Sequence, residues 1–140
     1  MTSLGIGILH ADLKLDNVML VNHQDEPFRV KLIDFGLAMP ASEAREGMIA
    51  QPIAYQAPEV SLGLPISEAI DMWSLGCALA SLFLYQDIFI GESLYDVMNT
   101  VFEDTRAFLN LLQMLLNPDA EMRITPQQAL EHSFVTMSHL

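Results

Sequence analysis

Basic side chains are scarce in this chain: six lysines and arginines stand against eighteen aspartates and glutamates, for a formal charge of −12. Such a surface repels phosphate backbones and anionic bilayers, so neither direct nucleic-acid binding nor membrane association is expected. Cysteine is scarcer still. Cys77 is the single one, so no internal disulfide can form and a reducing intracellular compartment is the natural setting. Its apolar neighbours make it a small core residue. The uncharged stretch "MWSLGCALASLFLYQ" (72–86) falls short of the roughly 18 to 20 residues needed to cross a bilayer, and reads as a buried helix. Residues 1–9 hold no basic region and only a short apolar run, so neither a signal nor a transit peptide is expected. Internal repeats and low-complexity tracts are absent as well. What is present is 140 residues, 51% of them hydrophobic, enough for one sizeable core.

The chain divides into a short front part with strand signals and a longer helical remainder. "VMLV" (18–21) and "FRVKLIDF" (28–35) are β-branched and apolar runs on either side of the polar cluster "NHQDEP", a hairpin signature. The twenty residues from 37 to 56 contain two prolines, a glycine and no sustained period, and read as a long loop with a functional purpose. Asp71 can cap a helix over 72–85 whose nearly uniform apolarity predicts the central element of the core. Further helices are expected over 93–102 and 105–116, the latter stopped by Asn117 and Pro118. Thr125, Pro126 and Gln128 form a capping-box signature for a last one.

One stretch is crowded with polar chemistry. "HADLKLDN" (10–17) is followed, beyond the hairpin, by "DFG" (34–36), which resembles the protein-kinase catalytic loop H-R-D-L-x-x-x-N and the metal-binding D-F-G. "APE" (57–59), "DMWSLG" (71–76) and Arg123 in "EMRIT" follow in the order that the kinase C-terminal lobe requires. His10-Ala11-Asp12, with the segments 62–84 and 123–140, resembles the homeodomain-interacting protein kinases, whose catalytic loop also reads H-A-D.

That resemblance implies an α+β, mostly helical C-terminal lobe whose short β-hairpin carries the catalytic and metal-binding loops. It also implies ATP-dependent transfer of the γ-phosphoryl group to Ser or Thr hydroxyls of protein substrates, with Mg²⁺ as the ion. Asp12 matches the carboxylate that orients the hydroxyl and accepts its proton. Lys14 matches the lysine that stabilises the γ-phosphate in Ser/Thr kinases. Asn17 and Asp34 match the oxygen ligands of magnesium, a hard cation held by one or two protein groups plus phosphates. Structural roles are implied for His10, Phe35 and Gly36, for the buried pair Glu59 and Arg123, and for Asp71, which holds the backbone of the catalytic loop. A lone Asp or Asn near a turn is more often a local cap than a ligand; the combined spacing reverses that reading. His23, His132 and His139 show no ligand spacing, and Trp73 and the nine methionines read as core. The family setting is intracellular, nuclear or cytoplasmic, with protein substrates or regulators as partners; nothing in the residues speaks to oligomeric state.

The chain departs from the family in several places. Nine residues precede His10 and the first lysine is Lys14, so the ATP-cradling lobe, with its Gly-rich loop and β3 lysine, is expected to be absent; "GIG" (5–7) is no substitute. The domain therefore reads as partial over 1–140: catalytic loop 10–17, D-F-G 34–36, activation segment 34–59 and a helical remainder 60–140. That remainder is contracted near 103, and weak ATP binding is expected. No hydroxyl residue lies between Ser42 and Tyr55, Ile49 stands where the family's activating tyrosine falls, and Gln56 replaces an arginine. Ala11 removes the arginine that receives a loop phosphate in many kinases, so control by loop phosphorylation is not expected. A non-catalytic, kinase-like binding module is the alternative reading.

Overall fold

The computed structural model of the protein describes residues 7–84 and 103–136, the side chains of 103–105 excepted. It is mixed α and β. β1 (Ile8–Leu9) pairs antiparallel with β4 (Met39–Pro40), and β2 (Val18–Asn22) pairs antiparallel with β3 (Glu26–Leu32). The helices among the described residues are α1 (Pro58–Ser61), α2 (Ala69–Leu84), α3 (Glu103–Leu115), α4 (Pro126–Glu131) and α5 (Ser133–Thr136). Three 3-10 turns (Leu15–Asn17, Ala41–Glu43, Ile53–Tyr55) fill the connections. Among the described residues no helix is long and apolar enough to cross a membrane.

The hairpin forms where expected, with different limits. The Asn22 side chain accepts from the backbone N–H groups of Gln24 and Asp25, a tight local turn that lets β3 begin at Glu26. β3 ends at Leu32 because Asp34 takes φ +60°, outside the extended region. Between Leu20 and Asn22 the register shifts, and Phe28, opposite the irregularity, takes φ +69°, a bulge that bends the ribbon.

α2 is the central element, as its apolarity predicts. Ile70, Trp73, Cys77 and Ala80 pack with Phe108 and Leu112 of α3, and with Leu9, Ala11 and Ala57, in one buried cluster. Met72 joins Leu111, Leu115 and Ile124 in a second. The helix starts at Ala69, three residues before the expected start. Asp71 therefore lies inside the first turn and is no N-cap; its carboxylate is used elsewhere, as described below. α3 lies two residues from its expected start, and the capping box of α4 is complete: Thr125 Oγ1 accepts from Gln128 N, and Gln128 Oε1 from Thr125 N. The methionines are not all core: Met19, Met114 and Met122 are exposed, two of them on a hairpin strand and a helix face that nothing described covers. The long 37–56 loop contains β4 and two 3-10 turns, and α1 is a single turn whose four residues carry no readable period. The helix expected over 93–102 lies outside the described residues, as does His139.

Candidate active site

The stretch 10–17 is held from below by α2. Asp71 accepts from His10 N at 2.6 Å and from Ala11 N at 3.0 Å, spending one carboxylate oxygen on each. Ala11 sits at φ +62°, a left-handed conformation that costs a residue with a Cβ roughly 1–2 kcal/mol. The double grip of Asp71 supplies the compensation. Burial pushes the Asp71 carboxyl above its ordinary value of 3.8, and the two backbone N–H groups pull it part of the way back.

The sharp turn sends Asp12, Lys14 and Asn17 to one spot. Asn17 Nδ2 donates to Asp12 O at 2.8 Å and to Asp12 Oδ2 at 2.9 Å. Both amide hydrogens are thereby spent, so Asn17 Oδ1 faces away from Asp12, a hard oxygen donor with no hydrogen bond to the described residues. Lys14 Nζ donates to Asp12 Oδ2 at 3.0 Å and Oδ1 at 3.2 Å. The hydrogen bond to Asp12 raises the Lys14 ammonium above its ordinary value. Desolvation opposes it, and the charges of Asp12, Asp16 and Asp34 add to the rise.

Asp34 arrives through the hairpin. Val18 pairs with Leu32, and Ile33 N donates to Asn17 O at 3.0 Å, so residues seventeen apart in sequence become backbone neighbours. The Asp34 carboxylate bonds Gly36 N at 3.2 Å rather than Asn17. A Cβ on residue 36 would lie 3.1 Å from Asp34 Oδ1, so a side chain there would press on the carboxylate. Phe35 packs its ring at 4.8 Å on His10. His10 Nδ1 accepts from Asp12 N while Nε2 faces Ile33 O at 3.2 Å, so the ring proton belongs on Nε2.

An amide oxygen on Asn17 and a carboxylate on Asp34 are the donor types that a hard cation takes beside waters and phosphates. They do not form a closed protein cage, and among the described residues no group of three or more His, Cys, Asp or Glu could hold a metal. Chemically, the cluster offers an anchored carboxylate able to accept a proton, with a cation beside it to meet developing negative charge.

A family model described as "Protein kinase domain" matches residues 5–135. The chain belongs to the protein kinase family. Homeodomain-interacting protein kinase 2 of Mesocricetus auratus is 32% identical over an alignment of 215 positions, covering 96% of this chain and 18% of that protein. Homeodomain-interacting protein kinase 1 of Caenorhabditis elegans is 49% identical over 98 residues, 70% of this chain and 12% of that protein. Homeodomain-interacting protein kinase 4 of Homo sapiens is 46% identical over 100 residues, 70% of this chain and 16% of that protein. The kinase chain thus spans less than a fifth of the length of these curated relatives. An alignment of 215 positions against 140 residues leaves at least 75 positions of the hamster protein facing a gap.

Glu59 and Arg123 meet as a bidentate pair at 2.6 and 2.9 Å, both buried, with the guanidinium also donating to Asn117 O and Ala69 O and lying over the Trp73 ring. Two residues that sequence reasoning passed over brace the candidate site. Gln51, buried and at φ +67°, ties the loop to α2, and buried Ser74 relays that tie to Tyr55 O. Nothing local marks either one, because the partners that tie them to α2 and to the 10–17 stretch lie 19 or more residues away in sequence.

Proposed function

We propose that this chain is the substrate-side, C-terminal half of a Ser/Thr protein kinase of the homeodomain-interacting type, acting on protein hydroxyls with ATP. The observation that carries the reading is the Asp12–Lys14–Asn17 cluster, bonded at 2.8–3.2 Å, with Asp34 one residue beyond the strand pairing that joins it to Asn17. Asp12 orients the acceptor hydroxyl and takes its proton, with Asn17 fixing the carboxylate rotamer. Lys14 stabilises charge on the transferred group, and its place two residues after Asp12 favours Ser/Thr over Tyr. Asn17 Oδ1 and Asp34 hold the magnesium, which when bound neutralises phosphate charge.

Taken alone, these 140 residues contain no Gly-x-Gly-x-x-Gly stretch to cradle phosphates, so Mg-ATP is held weakly and turnover is negligible. The contraction in the helical half falls near 103 in this reading, and the intracellular setting is that of the family. Joined to the nucleotide-binding lobe of an active relative, the chain should phosphorylate a protein substrate, and Asp12→Asn should lower that rate by about 10²–10⁴-fold. Unchanged activity in Asp12→Asn refutes the assignment. Mn²⁺ in place of Mg²⁺ should broaden the NMR signals of Asn17 and Asp34 first, an effect lost in Asp34→Ala.

A second reading is favoured by the hairpin, where Leu20, Val21, Phe28 and Val30 are all about half exposed or more: a non-catalytic module that engages a regulator through this surface. Submillimolar Mg-ATP affinity of the 140-residue chain would contradict the weak-binding argument. Its absence, together with saturable regulator binding lost in Val30→Lys, would favour the module.

A further inference from the structure

Between the head of α2 and the segment 120–126 that leads into α4 lies a cavity of about 170 Å³, lined by residues of both walls. Met72 and Ile124 are buried and give it an apolar floor. Glu68, Glu121 and Thr125 line it as well, and the exposure of the last two marks the side on which it opens. Arg123 Nη1 donates across the gap to Ala69 O at 2.8 Å, while the buried pair with Glu59 holds that guanidinium in place. The two walls are therefore clamped to each other. A ligand entering the cavity finds it already formed and is spared the cost of ordering it.

The polar groups around the cavity are unequally supplied with partners. At the head of α2, Ala69 N donates to Ser67 Oγ, Ile70 N to Ser67 O and Asp71 N to Glu68 O. Thr125 N and Oγ1 both donate to Gln128 Oε1, and the charge of Arg123 is neutralised by Glu59. These donors are committed, whereas the carboxylates of Glu68 and Glu121 make no hydrogen bond and no ion pair among the described residues. An anion would thus meet two carboxylates in a chain of net charge −12, beside backbone N–H groups already in use. The complementary ligand brings donors and positive charge for the carboxylates, and methylene groups for the floor. At about 170 Å³ the space is smaller than the roughly 300–1,000 Å³ of sites that enclose a whole small molecule. It suits one inserted side chain, and lysine and arginine are the side chains that lay an apolar stem on apolar surface while the charged head stays near water.

We infer that this cavity is a docking site for a lysine or arginine side chain of a partner protein, with the stem on Met72 and Ile124 and the charged head at Glu68 and Glu121. The site shares no residue with the Asp12–Lys14–Asn17 cluster and stands whether or not the chain transfers phosphate.

NMR titration of the 140-residue chain with short alanine peptides, capped at both ends, tests the site. The central residue is lysine, arginine, norleucine, which keeps the stem without the charge, or Nε-acetyl-lysine, which keeps the length without it. The methyl signals of Met72 and Ile124 are the reporters. Lysine and arginine peptides should shift both signals and bind about tenfold more tightly than the two neutral peptides. Glu68→Gln combined with Glu121→Gln keeps the shape of the lining and should erase that preference. Glu43→Gln combined with Glu46→Gln changes two exposed acids outside the cavity, and should leave the preference intact although the net charge changes equally. This pair of variants separates docking from the general attraction of cations to an acidic chain. Unmoved methyl signals, neutral peptides that bind as tightly, a preference that survives the Glu68 and Glu121 changes, or its loss in the Glu43 and Glu46 variant each overturns the inference. Putrescine that binds at these methyls more tightly than the lysine peptide would assign the cavity to a free amine, and overturns the protein partner as well.

Discussion

Asp71 shows how far one side chain can act from its own neighbourhood. Its carboxylate reaches across sixty residues to hold the His10 and Ala11 amides, and burial raises its pKa above 3.8 despite those bonds. The folded chain therefore keeps a proton over a range in which the unfolded chain has lost it, so stability falls as pH rises through that range. Asp71→Asn should flatten this part of the pH dependence. It should also cost about 1–3 kcal/mol, because the amide offers one acceptor where two N–H groups need one each; urea midpoints across the carboxylate range measure both. Cys77, 1% exposed, has its thiol pushed up to about 12 by burial. Alkylation at pH 8 should be negligible in the native chain and should proceed at the unfolding rate once urea is added. Cys77 was readable as core because its neighbours in sequence are also its neighbours in space. Asp71 was half readable: an acid at a helix start is a local signal for a cap, and only the kinase resemblance suggested the distant backbone it holds.

Helix α2 approaches α3 so closely that residue 76 must lack a side chain. A Cβ there would lie 2.9 Å from both Leu115 Cβ and Leu116 Cδ2. Leu115 Cβ is fixed to its backbone and cannot swing aside. Gly76→Ala should therefore destabilise the chain by about 1–2 kcal/mol, with overpacking outweighing the roughly 1 kcal/mol that alanine gains in a helix interior. Phe28 gives the opposite sign. It is 85% exposed and left-handed, so Phe28→Gly removes strain and little packing, and a gain of about 0.5–1 kcal/mol in urea unfolding is expected. The capping box of α4 and the β2–β3 turn were legible because their bonds span three residues. The β1–β4 pair was not: two-residue strands carry no alternation, and their register is set by the packing of Leu9 and Met39. Gln51 escaped for a related reason. Proline at 52 predicts an extended residue before it, and only the assembled core reveals the bonds that force the exception.

For the molecule as a whole, the decisive connection is the buried pair between Glu59 on α1 and Arg123 ahead of α4, 64 residues apart. It fastens α1 and the loop before it to the terminal helices, while Arg123 also satisfies Ala69 O at the head of α2. The motif order made this pairing legible through family resemblance, although neither residue alone carries a signal. Glu59→Leu strands a desolvated guanidinium, and Arg123→Met strands a carboxylate; each should cost about 3–5 kcal/mol. For a domain with a total stability of roughly 5–15 kcal/mol, that is a large share. Combining the two removes both orphaned charges, so the double variant should be more stable than either single one. Recovery should stop short of the parent, because Asn117 O and Ala69 O lose their donor whichever residue replaces arginine. Urea unfolding of the four proteins decides it. Additive losses would show that the two charges are not coupled in the fold, and full recovery would show that the two carbonyls find water or another donor once the guanidinium is gone.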